Sequence, residues 1–81
     1  MKIRLKVFAS VRDICGFDEK ELTLPDGTTL DGLLDNLAEQ HSGLSAKRTS
    51  LLMAVNEEYS TGAAILRDND TVALFPPVSG G

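Results

Sequence analysis

The residues with the clearest capacity for chemistry stand at the end of the sequence, in Phe75-Pro76-Pro77-Val78-Ser79-Gly80-Gly81. Proline has no backbone N–H to give to a sheet and favours extended polyproline geometry, so Pro76 and Pro77 end a strand at Phe75 and stiffen what leaves it. From Pro77 to Gly81 such a tail reaches on the order of 15 Å, at about 3.3 Å per residue. Gly80 and Gly81 lack Cβ atoms, so they can thread a narrow cleft and leave the last carbonyl open to a nucleophile. At neutral pH that carbonyl belongs to a carboxylate, with a reference pKa of about 3.5, which is a poor electrophile until it is activated. The sequence has neither a GxxxxGK[ST] phosphate loop nor a dinucleotide fingerprint, so activation with ATP falls to a partner enzyme and no bound cofactor is expected.

Other reactive side chains are isolated. Cys15 has no second cysteine, which excludes disulfides, CxxC redox motifs and cysteine-rich metal sites within one chain, and beside Ile14 in a short helix it reads as core filler. His41 is the lone histidine and ends a helix, where an imidazole suits the macrodipole better than it suits a metal site or a triad. Asp68-Asn69-Asp70 resembles the start of a calcium loop, but the downstream Gly and Glu are missing and a turn is expected. Glu57 and Glu58 read as a solvated turn. No metal site is expected.

With 81 residues, 42% of them hydrophobic and no Trp, the chain makes one domain with one modest core and no room for a large ligand cavity. A net charge of −4 excludes nucleic-acid binding, which needs a basic surface to displace counterions. The charge is uneven: residues 1–12 carry Lys2, Arg4, Lys6 and Arg12 and no acid, whereas residues 13–45 carry eight acids and one base, Lys20. Faces of opposite sign suit docking to a complementary protein. The alternating start of the chain is neither a signal peptide nor a membrane span, and a lone cysteine fits a reducing compartment, so a cytoplasmic protein beginning at or near Met1 is expected.

The elements that position the tail follow from periodicity. Ile3, Leu5 and Val7 alternate with Lys2, Arg4 and Lys6, predicting a strand over 2–9 with one buried face. Ser10 with Asp13 forms a capping-box pattern over a short helical turn, and Gly16 supplies its left-handed stop. Residues 20–24 predict a second strand with Leu22 and Leu24 inward, ended by Pro25-Asp26-Gly27. Thr28 followed by Asp31 signals a helix over 29–41, with Leu30, Leu33, Leu34 and Leu37 on one face and Gly32 tolerated through close packing on the sheet. Residues 42–50 read as a loop, 51–56 as a strand, Asn56-Glu57-Glu58 as a turn into a short extended piece at Tyr59, and Arg67–Asp70 as a turn into the last strand, with Val72 and Leu74 on one face. This order describes an α+β domain, a mixed sheet packed on one main helix: the β-grasp, or ubiquitin-like, roll over residues 1–75, with an extended Gly-Gly tail over 76–81.

The terminal DNDTVALFPPVSGG, the central AVNEEYS and the opening KVFASVRDICG together resemble the small, sulfur-carrying subunit of molybdopterin synthase along nearly the whole chain. The resemblance implies a mechanism. A ubiquitin-activating-type enzyme adenylates Gly81, sulfur from a persulfide donor protein replaces AMP, and the resulting thiocarboxylate enters a large subunit, where it donates sulfur to a pyranopterin precursor of the molybdenum cofactor. Gly81 is then the reacting residue, Gly80 gives steric relief, and Pro76, Pro77, Val78 and Ser79 line the partner's channel. The resemblance further implies a heterotetramer of two small and two large subunits, with the catalytic residues on the large one. Phe8 and Phe75 each fall opposite the buried residues of neighbouring strands, where the family uses aromatics against its large subunit, and they are expected to form an apolar patch at the root of the tail. A sulfur carrier for thiamine synthesis, a ubiquitin-like modifier that forms isopeptide bonds through Gly81, and an interaction module with an inert tail remain open beside this reading.

Overall fold

The alternation at the start of the chain forms β1 (Lys2–Val7), with Ile3, Leu5 and Val7 buried. The computed structural model describes residues 1–77, so the roles expected of Val78, Ser79, Gly80 and Gly81 lie outside the described residues. β1 stops short of the expected 2–9 because Ala9 takes a left-handed φ of 52° and turns the chain directly into α1 (Ala9–Cys15). The capping box expected of Ser10 and Asp13 does not form. Phe8 holds the cap position in extended geometry without a side-chain bond, and Ser10 is already inside the helix. Gly16 stops α1 as expected, at φ 81°, with its N–H donating to the Arg12 carbonyl at 2.8 Å.

β2 (Glu19–Thr23) runs back antiparallel to β1, and Leu24 is buried just beyond its end. α2 (Leu30–Gln40) buries Leu30, Leu33, Leu34 and Leu37, the apolar stripe that its spacing predicts. Its cap is Thr29, not Thr28: the Thr29 hydroxyl oxygen accepts from the Gly32 N–H at 3.1 Å, while the Thr28 hydroxyl donates to the Pro25 carbonyl at 2.7 Å. Gly32 is close to this cap and not to the sheet, since a Cβ there would lie 3.2 Å from Thr28 Cγ2. The next open donors of the helix are met by a loop that returns much later in the chain. Leu30 N–H donates to Ala64 O and Asp31 N–H to Gly62 O, both at 3.0 Å.

The polar stretch expected to be a loop, 42–50, contains α3 (Ser42–Ser45) and a 3-10 turn at Arg48–Ser50. One apolar residue explains the difference: Leu44 is fully buried in the core, and burying it holds a turn of helix that local propensity does not favour. Arg48 ties the stretch to α2, donating to the Asp35 carboxylate and, at 3.1 Å, to the Asp31 carbonyl. The hydrogen bond to Asp35 pushes its guanidinium further up from its already high range.

β3 (Leu52–Val55), β4 (Glu58–Tyr59) and β5 (Thr71–Phe75) join a sheet that has five strands among the described residues, in the order β2-β1-β5-β3-β4. The first and last strands lie parallel at its centre, from Arg4 opposite Thr71 to Val7 opposite Leu74, and the other pairs are antiparallel. The helices cover one face, and β5 gives that face Val72 and Leu74. Among the described residues no helix is long and apolar enough to cross a membrane.

Leu34 is 1% exposed at the centre of the α2 stripe. Leu34→Ala is expected to cost about 2–5 kcal/mol, read as a fall in the denaturation midpoint at unchanged slope. Thr29→Ala is expected to cost about 1 kcal/mol through the lost cap and Thr28→Ala clearly less, a ranking that the same denaturation series checks.

Candidate functional site

The root of the tail is built by the central strand pair. Because β1 and β5 run parallel, both reach their C-terminal ends at the same end of the sheet. There the Phe8 N–H donates to the Leu74 carbonyl at 3.1 Å. The left-handed turn at Ala9 leaves Phe8 beside β5 instead of continuing the strand past it. Phe8 is 47% exposed and meets Phe75 edge to face, with ring centroids 6.2 Å apart. Pro76, half-buried, and Pro77, exposed, follow Phe75 outside any regular element.

The two aromatics expected at this point are therefore brought together, and a third joins them. Tyr59, 75% exposed, packs its ring edge to face against Phe75 at 5.9 Å from the other side. Its place depends on the turn from β3 to β4, in which Asn56 and Glu57 both have positive φ, at 51° and 71°. Asn56 is held to the sheet by three bonds. Its N–H donates to Thr71 O at 2.8 Å, its side-chain oxygen accepts from the Thr71 N–H at 3.0 Å, and its amide donates to the Asp70 carboxylate at 2.8 Å. The sequence shows the turn, but it cannot reveal that β4 lies across β3 from Phe75, because that neighbourhood is created by sheet order.

Beside the aromatics the same open face is charged. Arg4 and Lys6 lie 2.8 and 3.8 Å from the Glu19 carboxylate and Lys2 lies 3.8 Å from Glu21, while off that face Arg12 of α1 lies 3.4 Å from Asp18. These exposed pairs add little stability but fix the electrostatic pattern of the surface. Between the charged strands and the Asn56 turn lies a shallow depression of about 490 Å³, lined by Lys6, Phe8, Asn56, Glu57, Thr71 and Ala73. It is open to solvent and borders the tail root.

The remaining candidates have structural roles. Cys15 is 7% exposed in the core, and burial pushes its thiol up, away from the reactive thiolate. His41 closes α2, its N–H donating to Leu37 O at 2.8 Å, and its ring sits 6.5 Å from that of Phe17. Asp68 and Asp70 close the turn before β5: Asp68 accepts from the Lys2 N–H at 2.7 Å and Asp70 from the Arg67 N–H at 2.8 Å. Among the described residues no cluster of His, Cys, Asp or Glu is arranged to hold a metal ion. What this surface offers chemically is an aromatic and charged platform from which a tail departs.

Comparison with known proteins agrees with that geometry. The ThiS family model matches residues 5–81. The molybdopterin synthase sulfur carrier subunit of Arabidopsis thaliana is 36% identical over 81 residues, covering 100% of this chain and 84% of its own. The corresponding subunit of Escherichia coli K12 is 37% identical, covering 98% and 99%. Among solved structures, a Pyrococcus furiosus protein provisionally described as subunit 1 of molybdopterin converting factor superposes with a TM-score of 0.86 at 30% identity, over 96% of this chain and 99% of that one. With its β-grasp roll, its aromatic patch and a match that runs through the final Gly-Gly, the chain belongs to the ThiS family, among the molybdopterin synthase sulfur carrier subunits.

Proposed function

We propose that this sulfur carrier of molybdenum cofactor biosynthesis works through the carboxyl group of Gly81. A partner enzyme of the ubiquitin-activating type uses ATP to form an acyl-adenylate there with release of pyrophosphate; the terminal sulfur of a persulfide donor protein displaces AMP to give an acyl disulfide, and a thiol reductant cleaves its S–S bond, leaving a thiocarboxylate and a new disulfide. The tail then enters the large subunit of molybdopterin synthase and transfers the sulfur to a pyranopterin precursor. The chain holds no cofactor of its own in this scheme, and the acid–base groups belong to the large subunit. The setting is the cytoplasm.

One observation carries the reading: the family match includes Gly80 and Gly81 and is not confined to the folded core. Physical logic supports it. A thiocarboxylate is a soft nucleophile, and a tether delivers it at high effective concentration while a partner's cleft keeps water away. Pro76 and Pro77 stiffen the start of that tether, Val78 and Ser79 contact the channel wall, and Gly80 lets the reacting end pass. The exposed Phe8 and Tyr59, packed on either side of a half-buried Phe75, then anchor the large subunit at the tail root, as exposed aromatics commonly do at interfaces.

Mass spectrometry of the C-terminal peptide, after incubation with the activating enzyme, ATP and a sulfur donor, is expected to show oxygen replaced by sulfur on Gly81 and no such change without ATP. An unmodified tail, with the enzyme active on a control carrier, would overturn the reading. Phe8→Ala is expected to weaken binding to the large subunit by roughly tenfold or more while leaving the melting temperature almost unchanged, since the side chain is half exposed. Titration calorimetry measures this, and unchanged affinity would remove Phe8 from the interface.

A further inference from the structure

Among the described residues β2 forms one edge of the sheet, with β1 as its sole neighbour. Two bonds set the phase of the β1–β2 ladder: Val7 N–H donates to Asp18 O at 3.0 Å and Leu24 N–H to Met1 O at 2.9 Å. In an antiparallel pair such bonded positions alternate, so Lys20 and Leu22 also turn their backbone groups toward β1. Glu19, Glu21 and Thr23 turn theirs outward, where no strand meets them among the described residues.

The side chains alternate in the same phase. Lys20 and Leu22 stand opposite Leu5 and Ile3 and so face the helical layer, whereas Glu19 and Glu21 face the open side with Lys6, Arg4 and Lys2. Between β2 and α2 lies a groove of about 150 Å³, floored by Leu22, Leu24, Leu33 and Leu37, with Asn36 and Gln40 on its helical rim. Among the described residues Lys20 is the one charged side chain that lines it, with its ammonium 5.5 Å from the centre of the Phe17 ring. Lys20 makes no ion pair among the described residues, in contrast to Lys2, Arg4, Lys6, Arg12 and Arg48.

We propose that this groove docks an extended acidic–aliphatic segment of a partner protein, added as a further strand along β2. The outward backbone groups of Glu19, Glu21 and Thr23 supply the ladder. In the incoming strand, two aliphatic side chains at alternate positions enter the groove over Leu22 and Leu24. The next side chain in that phase lies beside Lys20, and an acid is the residue that completes the unpaired cation. Side chains of the other phase meet Glu19 and Glu21, which selects polar or basic residues there and rejects acids. The groove itself shares no lining residue with Phe8, Phe75 or Tyr59, although the Glu19 end of the edge adjoins Phe8.

The test is a titration of the full-length, ¹⁵N-labelled chain with a capped nonapeptide bearing Glu, Ile and Ile at alternate positions, separated by Thr and Lys. The expected result is amide shifts at Glu19, Glu21, Thr23, Asn36 and Gln40 with Phe75 and Tyr59 unmoved, and roughly three- to tenfold weaker binding when the peptide's Glu is replaced by Lys. Glu21→Pro removes one outward N–H without touching the bonds to β1 and is expected to abolish binding with the fold retained. If that variant unfolds, Lys20→Glu decides, because it must invert the preference between the two peptides. Absence of shifts up to about 1 mM peptide, shifts centred on the open face, or equal affinity for both peptides would overturn the proposal. Lys20 would then be an inward charge that guards an edge strand against unwanted pairing.

Discussion

The parallel pairing of β1 with β5 is the constraint on which the rest of the molecule depends. It joins the first strand to the last across almost the whole chain, and each is flanked by a further antiparallel strand, so neither is exposed at an edge. Leu5, Val7, Val72 and Leu74 are sealed beneath the helices as a consequence. Turn residues strengthen the join: Arg4 N–H donates to Asp70 O at 2.9 Å and Asn69 N–H to Lys2 O at 2.7 Å. The closure entropy of so long a loop grows only with the logarithm of its length, so cooperative burial can offset it.

This pairing divides the sheet into two surfaces. Side chains of one phase are used up by the core, which leaves those of the other phase on the open side. On β5 the phase is read directly, with Val72 and Leu74 inside and Phe75 turned toward Phe8 and Tyr59. A slip of one residue would exchange Phe75 with Leu74 and destroy both surfaces together, so the register that stabilises the fold also places the aromatics at the tail root. Core packing and the aromatic cluster are consequences of one ladder.

A domain of this size commits its thin core entirely to packing. Its single layer of apolar side chains is needed to hold the sheet to the helices, and no buried polar side chain interrupts it among the described residues. Cys15 and His41, the side chains with most chemical potential, serve in the core and at a helix end. In the proposed mechanism reactivity is left to the tail, where backbone atoms need no side-chain machinery once a partner encloses them.

Much of this was legible in the sequence because it is periodic or local. Alternation in Lys2–Val7, the Leu30–Leu37 stripe, the left-handed Gly16 and the prolines after Phe75 act through neighbouring residues, and the strand, helix and stops follow from backbone sterics and one-sided burial. Other features were settled by distant partners. Leu44 is buried by the assembled core and so makes helix from a stretch that reads as loop, and the loop at Gly62 and Ala64 meets the α2 donors beside the Thr29 cap. Tyr59 reaches Phe75 through the order of strands, and the groove at Lys20 exists because β2 was left at an edge. The sequence by itself determined which residues prefer to be buried, turned or extended, since those preferences are local free energies. The tertiary structure alone decided which of their surfaces meet, because pairing between strands far apart in the chain depends on the combined burial of the whole domain and not on any short segment.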